Sequence, residues 1–330
     1  MVNNGVKIVF GGASLTSSSA SFGTVEKVKE VLDILKQGGV KAIDTAQTYG
    51  DSEEMLGEAK AASRFDIDTK DPGGFSGDSA TAQKVVERGN ESFTKLKADS
   101  VNIFYIHAPD PKTPLEDTLA GINELHKAGK FRHFGLSNFS PDEVEQAVAI
   151  AKKNGFVLPS VYQGNYSAVA RRQETELFPT LRRHNIAFYA YSPIAGGFLT
   201  KTTEQLREGA QGRWDTSSLL GQMYNGMYGK PTLLAALDAW QTISKETGIP
   251  KAELAYRWVR YNSHLSAQAG DAIIIGATKF EQLNQTLAGL KNGPLDAEVA
   301  AKIDAIWDNI KDDAPLDNYH SYFATLPQQN

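Results

Sequence analysis

Short apolar runs recur along the chain, each followed by a longer stretch whose apolar residues fall at helical spacing. The runs Val6–Phe10, Val40–Asp44, Phe65–Thr69, Val101–Ile106, Phe131–Gly135, Ser160–Gln163, Ile186–Ala190 and Ala272–Ile275 predict eight strands. Between them, Val25–Lys36, Thr81–Leu96 and Leu115–Lys127 predict helices, and Ser140-Pro141-Asp142-Glu143 is a strong helix start. Asp51, with Glu54 three residues on, predicts a capping box opening the helix through Met55 and Leu56. Strands alternating with helices argue for a parallel sheet, and eight of them for a (β/α)8 TIM barrel. The rival, an open doubly wound sheet, lacks its G-x-G-x-x-G turn, since Gly11-Gly12 runs on into Ala, Ser, Leu and Thr.

One interval breaks the rhythm. Between the seventh and eighth strands lies an insert about three times the length of the other repeats. It holds a polar, Gly-rich, aromatic piece from Phe198 to Pro231, then helical patterns around Leu233–Ile243 and Glu253–Val259. Connections this long are often lids or binding loops, with a merely decorative insertion as the alternative. Lys279–Leu290 and Asp296–Ile310 predict two closing helices, followed by a coil draped over the barrel. No short repeat and no separating linker occurs, so residues 1–330 are expected to form a single domain.

Composition narrows the chemistry. A net charge of -5 gives no general attraction to phosphate backbones or anionic membranes, so no nucleic-acid partner is expected. The absence of cysteine excludes disulfides, thiolate catalysis and Cys-ligated metals together. The amino terminus has no basic start leading into a long apolar run, and no run reaches the ~18 apolar residues of a membrane span. A cytoplasmic protein without a membrane segment is expected; the oligomeric state is left open.

Reading strand ends in turn yields a constellation. Asp44 ends the second strand, Tyr49 lies in the loop after it, Lys70 ends the third and His107 the fourth. In a barrel these ends share one rim, the catalytic face. A phenol, with a reference pKa near 10, holds its proton at neutral pH. An ammonium within ~4–6 Å favours the phenolate, making Tyr49 a better acid toward a carbonyl oxygen gaining charge. Asp44 would keep Lys70 charged and oriented, and His107 would donate a hydrogen bond to the same oxygen. No metal is required. Taken singly, each residue has an ordinary alternative: a turn former, a packed ring, a solvated charge, a structural histidine. Asp68 points the same way as Lys70, so it either competes with Asp44 for the ammonium or takes another partner inside the barrel.

The segment Asp44, Thr45, Ala46, Tyr49, Gly50, Glu53, Leu56, Gly57 matches, in order, the signature of the aldo-keto reductase family, and the chain resembles that family over nearly its whole length. Segments such as TELFPTLRRHNIAFYAYSPIAGGFLT are most similar to its aflatoxin-aldehyde reductase branch. The resemblance implies reduction of a small-molecule aldehyde or ketone with a nicotinamide cofactor. It implies that Ser137, Asn138 and Gln163 hold the carboxamide and that Tyr191 stacks on the nicotinamide ring. Ser192, Gly196 and Gly197 would set backbone against the pyrophosphate. Gly276, Thr278, Lys279 and Gln282 would meet the adenosine 2′-phosphate, favouring NADP(H) over NAD(H). Arg171, Arg213 and Tyr224 are candidates for the substrate or cofactor side. Two departures concern the cofactor: Gln282 stands where many relatives have arginine, and Thr286 where they commonly have asparagine. The alternative within this resemblance is an NADPH-binding regulatory subunit with little turnover. A metal-dependent hydrolase would need clustered ligands, and of six histidines only His107 clearly ends a strand.

Overall fold

The eight apolar runs are strands: β1 Lys7–Gly11, β2 Ala42–Asp44, β3 Asp66–Asp71, β4 Val101–Ile106, β5 Phe131–Ser137, β6 Pro159–Asn165, β7 Ala187–Tyr191 and β8 Ala272–Ile275. Each pairs in parallel with the next, and β8 returns to β1, closing a (β/α)8 barrel. The structure is a computed structural model describing residues 5–208 and 214–321. Arg213 lies outside the described residues. Among the described residues, no helix is long and apolar enough to cross a membrane.

Helices follow the strands as the apolar spacing requires. They are α1 Val25–Gln37, α2 Ser52–Glu58, α3 Ala82–Leu96, α4 Leu115–Lys127 and α5 Pro141–Asn154, then the short α6 Gln173–Glu176 and α7 Phe178–Arg183. In α1, Val28, Val31, Leu32 and Leu35 are buried, and the Thr24 hydroxyl accepts from the Lys27 N–H. Burying each aliphatic stabilises by about 1.5–3 kcal/mol, against about 1 kcal/mol for the cap, so packing holds this helix in place. At α5 the predicted start is a full capping box between Ser140 and Glu143. The box expected at Asp51 does not form. Its carboxylate accepts the Ser17 N–H at 2.9 Å instead, and Glu54 pairs with Lys95 at 3.1 Å.

The insert after β7 carries α8 Thr203–Arg207, α9 Leu219–Tyr228, α10 Pro231–Thr247 and α11 Lys251–Arg257, while α12 Phe280–Gly289 and α13 Ala297–Ile310 follow β8. Met223, Tyr224, Met227 and Tyr228 are all buried on α9, so this aromatic piece packs as a helix.

Period-two alternation sorts the strand residues. Phe10, Ile43, Ile67, Phe104, Leu136, Tyr162, Phe188 and Ile273 join the apolar layer beneath the helices. Val9, Ile103, Tyr105, Val161, Ala187, Tyr189, Ala272 and Ile274 form a separate cluster inside the barrel. The same alternation puts Asp44, Asp68 and Lys70 inside, where all three are buried, and the register sets Asp44 beside Asp68 and Lys70 beside Tyr105.

Candidate active site

The carboxyl ends of β2, β3 and β4 converge on one ammonium. Lys70 Nζ donates to both oxygens of Asp44 and to the Thr45 carbonyl, each at 2.7 Å. All three N–H bonds are thereby used, and the pair is excluded from water. Burial alone would strip the proton from such a lysine, yet the Asp44 charge, the ionisable Tyr49 phenol and the Asp44 hydrogen bonds hold its pKa above the ordinary value. Gln163 Nε2 adds a third anchor, donating to Asp44 Oδ1 at 2.8 Å. Lys70 therefore stays a cation fixed in direction.

Asp68 does not compete for it. Its Oδ1 accepts from Asn102 Nδ2 at 2.8 Å, and its Oδ2 has no hydrogen-bond partner. Burial first, then the adjacent Asp44 charge, push its carboxyl well above the usual range. The sequence left two roles open for Asp68, and the structure gives the second, a separate partner inside the barrel.

Tyr49 is delivered by a tight loop. Its N–H donates to the Ala46 carbonyl at 3.0 Å, its own carbonyl accepts from Ser52 at 3.1 Å, and Gly50 takes φ of 57°. The loop is pinned below by Thr45 and Ser52 hydroxyls 2.8 Å apart, Ser52 donating onward to the Gly12 carbonyl. Lys70 Nζ then lies 5.1 Å from the centre of the Tyr49 ring. His107 meets Tyr49 edge to face at 5.7 Å, and Phe75 packs edge to face against the same imidazole at 5.0 Å. Burial, reinforced by the Lys70 charge, keeps His107 well below its ordinary pKa, so the ring is neutral. Thr48 Oγ1 lies 3.2 Å from its Nδ1. The four strand-end residues named from the sequence thus stand together.

A second group lies beside them around the ends of β5 to β7. Asn138, at φ 59°, donates from its amide to the His107 carbonyl at 2.9 Å and to the Ser137 hydroxyl at 3.2 Å. Its amide oxygen accepts the Tyr191 hydroxyl at 2.9 Å. Ser192 and Ala195 also take left-handed φ of 55° and 51°, an uncommon density of strain for non-glycine residues. At Gly196 an added Cβ would lie 2.1 Å from the Tyr224 ring, so only glycine fits; Trp214 donates to its carbonyl at 3.0 Å. Tyr224 is accordingly a buried support of this loop, stacked among Trp214 and Tyr228.

Whether these residues suit a dinucleotide is tested by the space beside them. A Cβ at Gly276 would meet nothing within 4 Å, and at Gly197 nothing nearer than 3.8 Å, so both backbones face open ground. Gly276 lies just before α12, whose first-turn N–H groups receive no side-chain cap from Lys279. Open glycine backbone leading into an uncapped helix start suits a phosphate. Gln282 turns its oxygen back to the Thr278 N–H and hydroxyl, at 3.0 and 3.1 Å. It stabilises the turn and adds no charge. Lys27, on α1, brings its ammonium to 5.2 Å from the Phe280 ring, a cation near this end that strand-by-strand reading missed.

Arg171 departs from expectation. Its guanidinium donates to Glu174 at 2.9 and 3.2 Å and to Asp304 at 2.7 Å, and it lies over Trp258 and Trp307. With its charge met by two carboxylates and two aromatic rings close by, it ties the segment after β6 to α13. Of the carboxy-terminal coil, residues 322–330 lie outside the described residues; in the described part the Asn318 N–H donates to the Tyr191 hydroxyl at 3.2 Å, and Tyr319 packs edge-on against Phe75 at 5.5 Å. Sequence reading missed Thr48, Phe75, Asn102 and Asn318, whose partners are all far away along the chain.

Comparison with known proteins agrees with this geometry. The profile of the Aldo/keto reductase family matches residues 7–308. The chain is 40% identical over 316 residues to "Oxidoreductase sirO" of Leptosphaeria maculans, covering 93% of this chain and 95% of that protein. It is 36% identical to human "Aldo-keto reductase family 7 member A3", over 84% of this chain and 87% of the relative. It is 35% identical to mouse "Aflatoxin B1 aldehyde reductase member 2", over 84% and 79%. A closed parallel barrel, a carboxylate-bound ammonium beside a phenol at its rim, and matches of this extent have one reading: the chain belongs to the aldo/keto reductase family and is an oxidoreductase acting on carbonyl groups.

Proposed function

We propose that this chain reduces aldehydes or ketones to alcohols with NADPH, the proton coming from Tyr49. The observation that carries the reading is the Lys70 ammonium, saturated by Asp44 and Thr45 and fixed 5.1 Å from the Tyr49 ring. When bound, the reduced nicotinamide supplies a hydride to the carbonyl carbon. The remaining work falls to the protein. Tyr49 gives its phenolic proton to the carbonyl oxygen as charge develops there, and Lys70 steadies the phenolate left behind. His107, neutral, offers a hydrogen bond to the same oxygen. The phenolate recovers its proton from solvent before the next turnover. Ser137, Asn138, Gln163 and Tyr191 hold the nicotinamide end; Ser192, Gly196 and Gly197 approach the pyrophosphate; Gly276, Thr278, Lys279 and Gln282 take the adenosine end. Lys279, joined by Lys27, supports NADPH over NADH, and the names of the aflatoxin B1 aldehyde reductases support aldehydes among the substrates.

The test follows nicotinamide oxidation by the purified protein across aldehydes, ketones and dicarbonyls, with NADPH and NADH compared. Tyr49→Phe removes the acid alone, and turnover should fall by about 10²–10⁴-fold while cofactor binding, read by fluorescence, persists. Turnover that survives this change removes Tyr49 from the role.

A further inference from the structure

His107 can orient a carbonyl only if the nitrogen facing the substrate carries its hydrogen. A neutral imidazole has one N–H, and which nitrogen bears it is set by what the other nitrogen meets. Here Nδ1 lies 3.2 Å from the hydroxyl of Thr48, a residue on the Tyr49 loop. The ring is otherwise held by carbon edges, Tyr49 at 5.7 Å and Phe75 at 5.0 Å, which fix its plane without specifying its tautomer. Its backbone is fixed separately: its N–H donates to Asp71 at 2.9 Å and its carbonyl accepts from Asn138 at 2.9 Å. Among the described residues, Thr48 is the side chain whose polar atom meets a ring nitrogen of His107.

We propose that Thr48 is a positioning residue: its hydroxyl donates to His107 Nδ1, so that the imidazole presents Nε2–H to the carbonyl oxygen. The charge conditions are consistent with a neutral ring. Burial and the Lys70 ammonium disfavour a second proton on it, so one of the two ring nitrogens keeps a lone pair, which the Thr48 hydroxyl can meet if it lies on Nδ1. The same loop that delivers the phenol also sets the hydrogen-bond donor beside it, and one backbone movement would misplace both. This inference rests on the proposed reductase reaction for its consequence, but not for its physical content.

The experiment therefore has two arms. In ¹⁵N-labelled protein, long-range proton–nitrogen spectra identify the protonated nitrogen of each imidazole, with His107→Gln assigning the signal. The wild type should show Nε2–H, Thr48→Val should shift the ring toward a mixture of tautomers, and Thr48→Ser should restore the original. In the kinetic arm, Thr48→Val should lower kcat/KM for a carbonyl substrate by about two- to tenfold, the worth of one ordinary hydrogen bond, with cofactor affinity unmoved and Thr48→Ser rescuing the loss. A wild-type ring carrying Nδ1–H, or a tautomer indifferent to Thr48→Val, overturns the proposal. The spectra decide this in the resting protein, so loss of the reductase reading would be seen separately, as absent turnover in the wild type.

Discussion

Replacing Asp68 by asparagine tests the charge balance inside the barrel. Asp44 and Asp68 are register partners on adjacent strands, both buried, with a single ammonium between them. That ammonium is spent on Asp44 and Thr45, while Asp68 has one amide, from Asn102, and an oxygen without a partner. Its carboxyl accordingly keeps a proton well above the pH at which an exposed aspartate loses one. The sign of the effect on stability follows from linkage. A raised folded-state pKa means that the native protein holds a proton which the unfolded chain has released. The favourable contribution is complete below the unfolded pKa of about 3.9 and is lost as pH rises toward the folded value. A difference of one bound proton gives a slope of about 1.4 kcal/mol per pH unit. Asparagine cannot titrate, and its amide oxygen still accepts the Asn102 bond. Asp68→Asn should therefore gain stability over the wild type by about 1.4 kcal/mol for each unit that pH is raised above about 5, levelling off where the native carboxyl ionises. Urea unfolding of both proteins at a series of pH values and one ionic strength measures the gap. A gap independent of pH, or one closing as pH rises, would mean that Asp68 is ionised and shares Lys70, and the charge assignment would fail.

Lys70→Met strands a buried Asp44 with only the Gln163 amide, and loss of one partner from such a pair costs about 3–5 kcal/mol, measurable by denaturant titration. The same variant should also lose turnover, because Tyr49 then sees no cation; undiminished stability would contradict the burial of the pair. Gln282→Arg exchanges the neutral cap of the Thr278 turn for a guanidinium at the phosphate-facing end of α12. A charge-assisted bond of about 1.5–3 kcal/mol should tighten NADPH relative to NADH by about ten- to hundredfold in the ratio of their Kd values, and an unchanged ratio would place the 2′-phosphate elsewhere.

The fold was legible because each barrel strand is buried on both faces and each helix on one, and burial is what apolar spacing records. β4 and β8 begin and end at the predicted residues, whereas β5 runs on to Ser137 and β6 to Asn165. Their last residues, Ser137 and Asn165, are polar at the rim, so the apolar pattern fades at the strand ends that carry chemistry. The capping box expected at Asp51 fails for a physical reason. A capping box is a local reading, and a distant group, the Ser17 amide, holds the Asp51 carboxylate instead.

That cause also explains which part of the site the chain order discloses. Asp44, Lys70 and His107 are recognisable because strand parity and the shared rim constrain where their side chains point, whatever else surrounds them. Which carboxylate takes the ammonium is another kind of question. Asp44 and Asp68 are both inward-facing aspartates, and parity treats them alike. The choice is made by groups that complete one arrangement and leave the other wanting: the Thr45 carbonyl supplies the third acceptor, and Gln163, on the far side of the barrel, braces the carboxylate. Asn102 then gives Asp68 a single donor, too little to offset its burial beside the Asp44 charge. The cation is thereby held at the rim beside Tyr49, where a competing interior charge would draw it down into the barrel. A second aspartate that is kept un-ionised leaves the field of Lys70 directed at the phenol, and for that reason the proton on Asp68 bears on the chemistry as much as on stability.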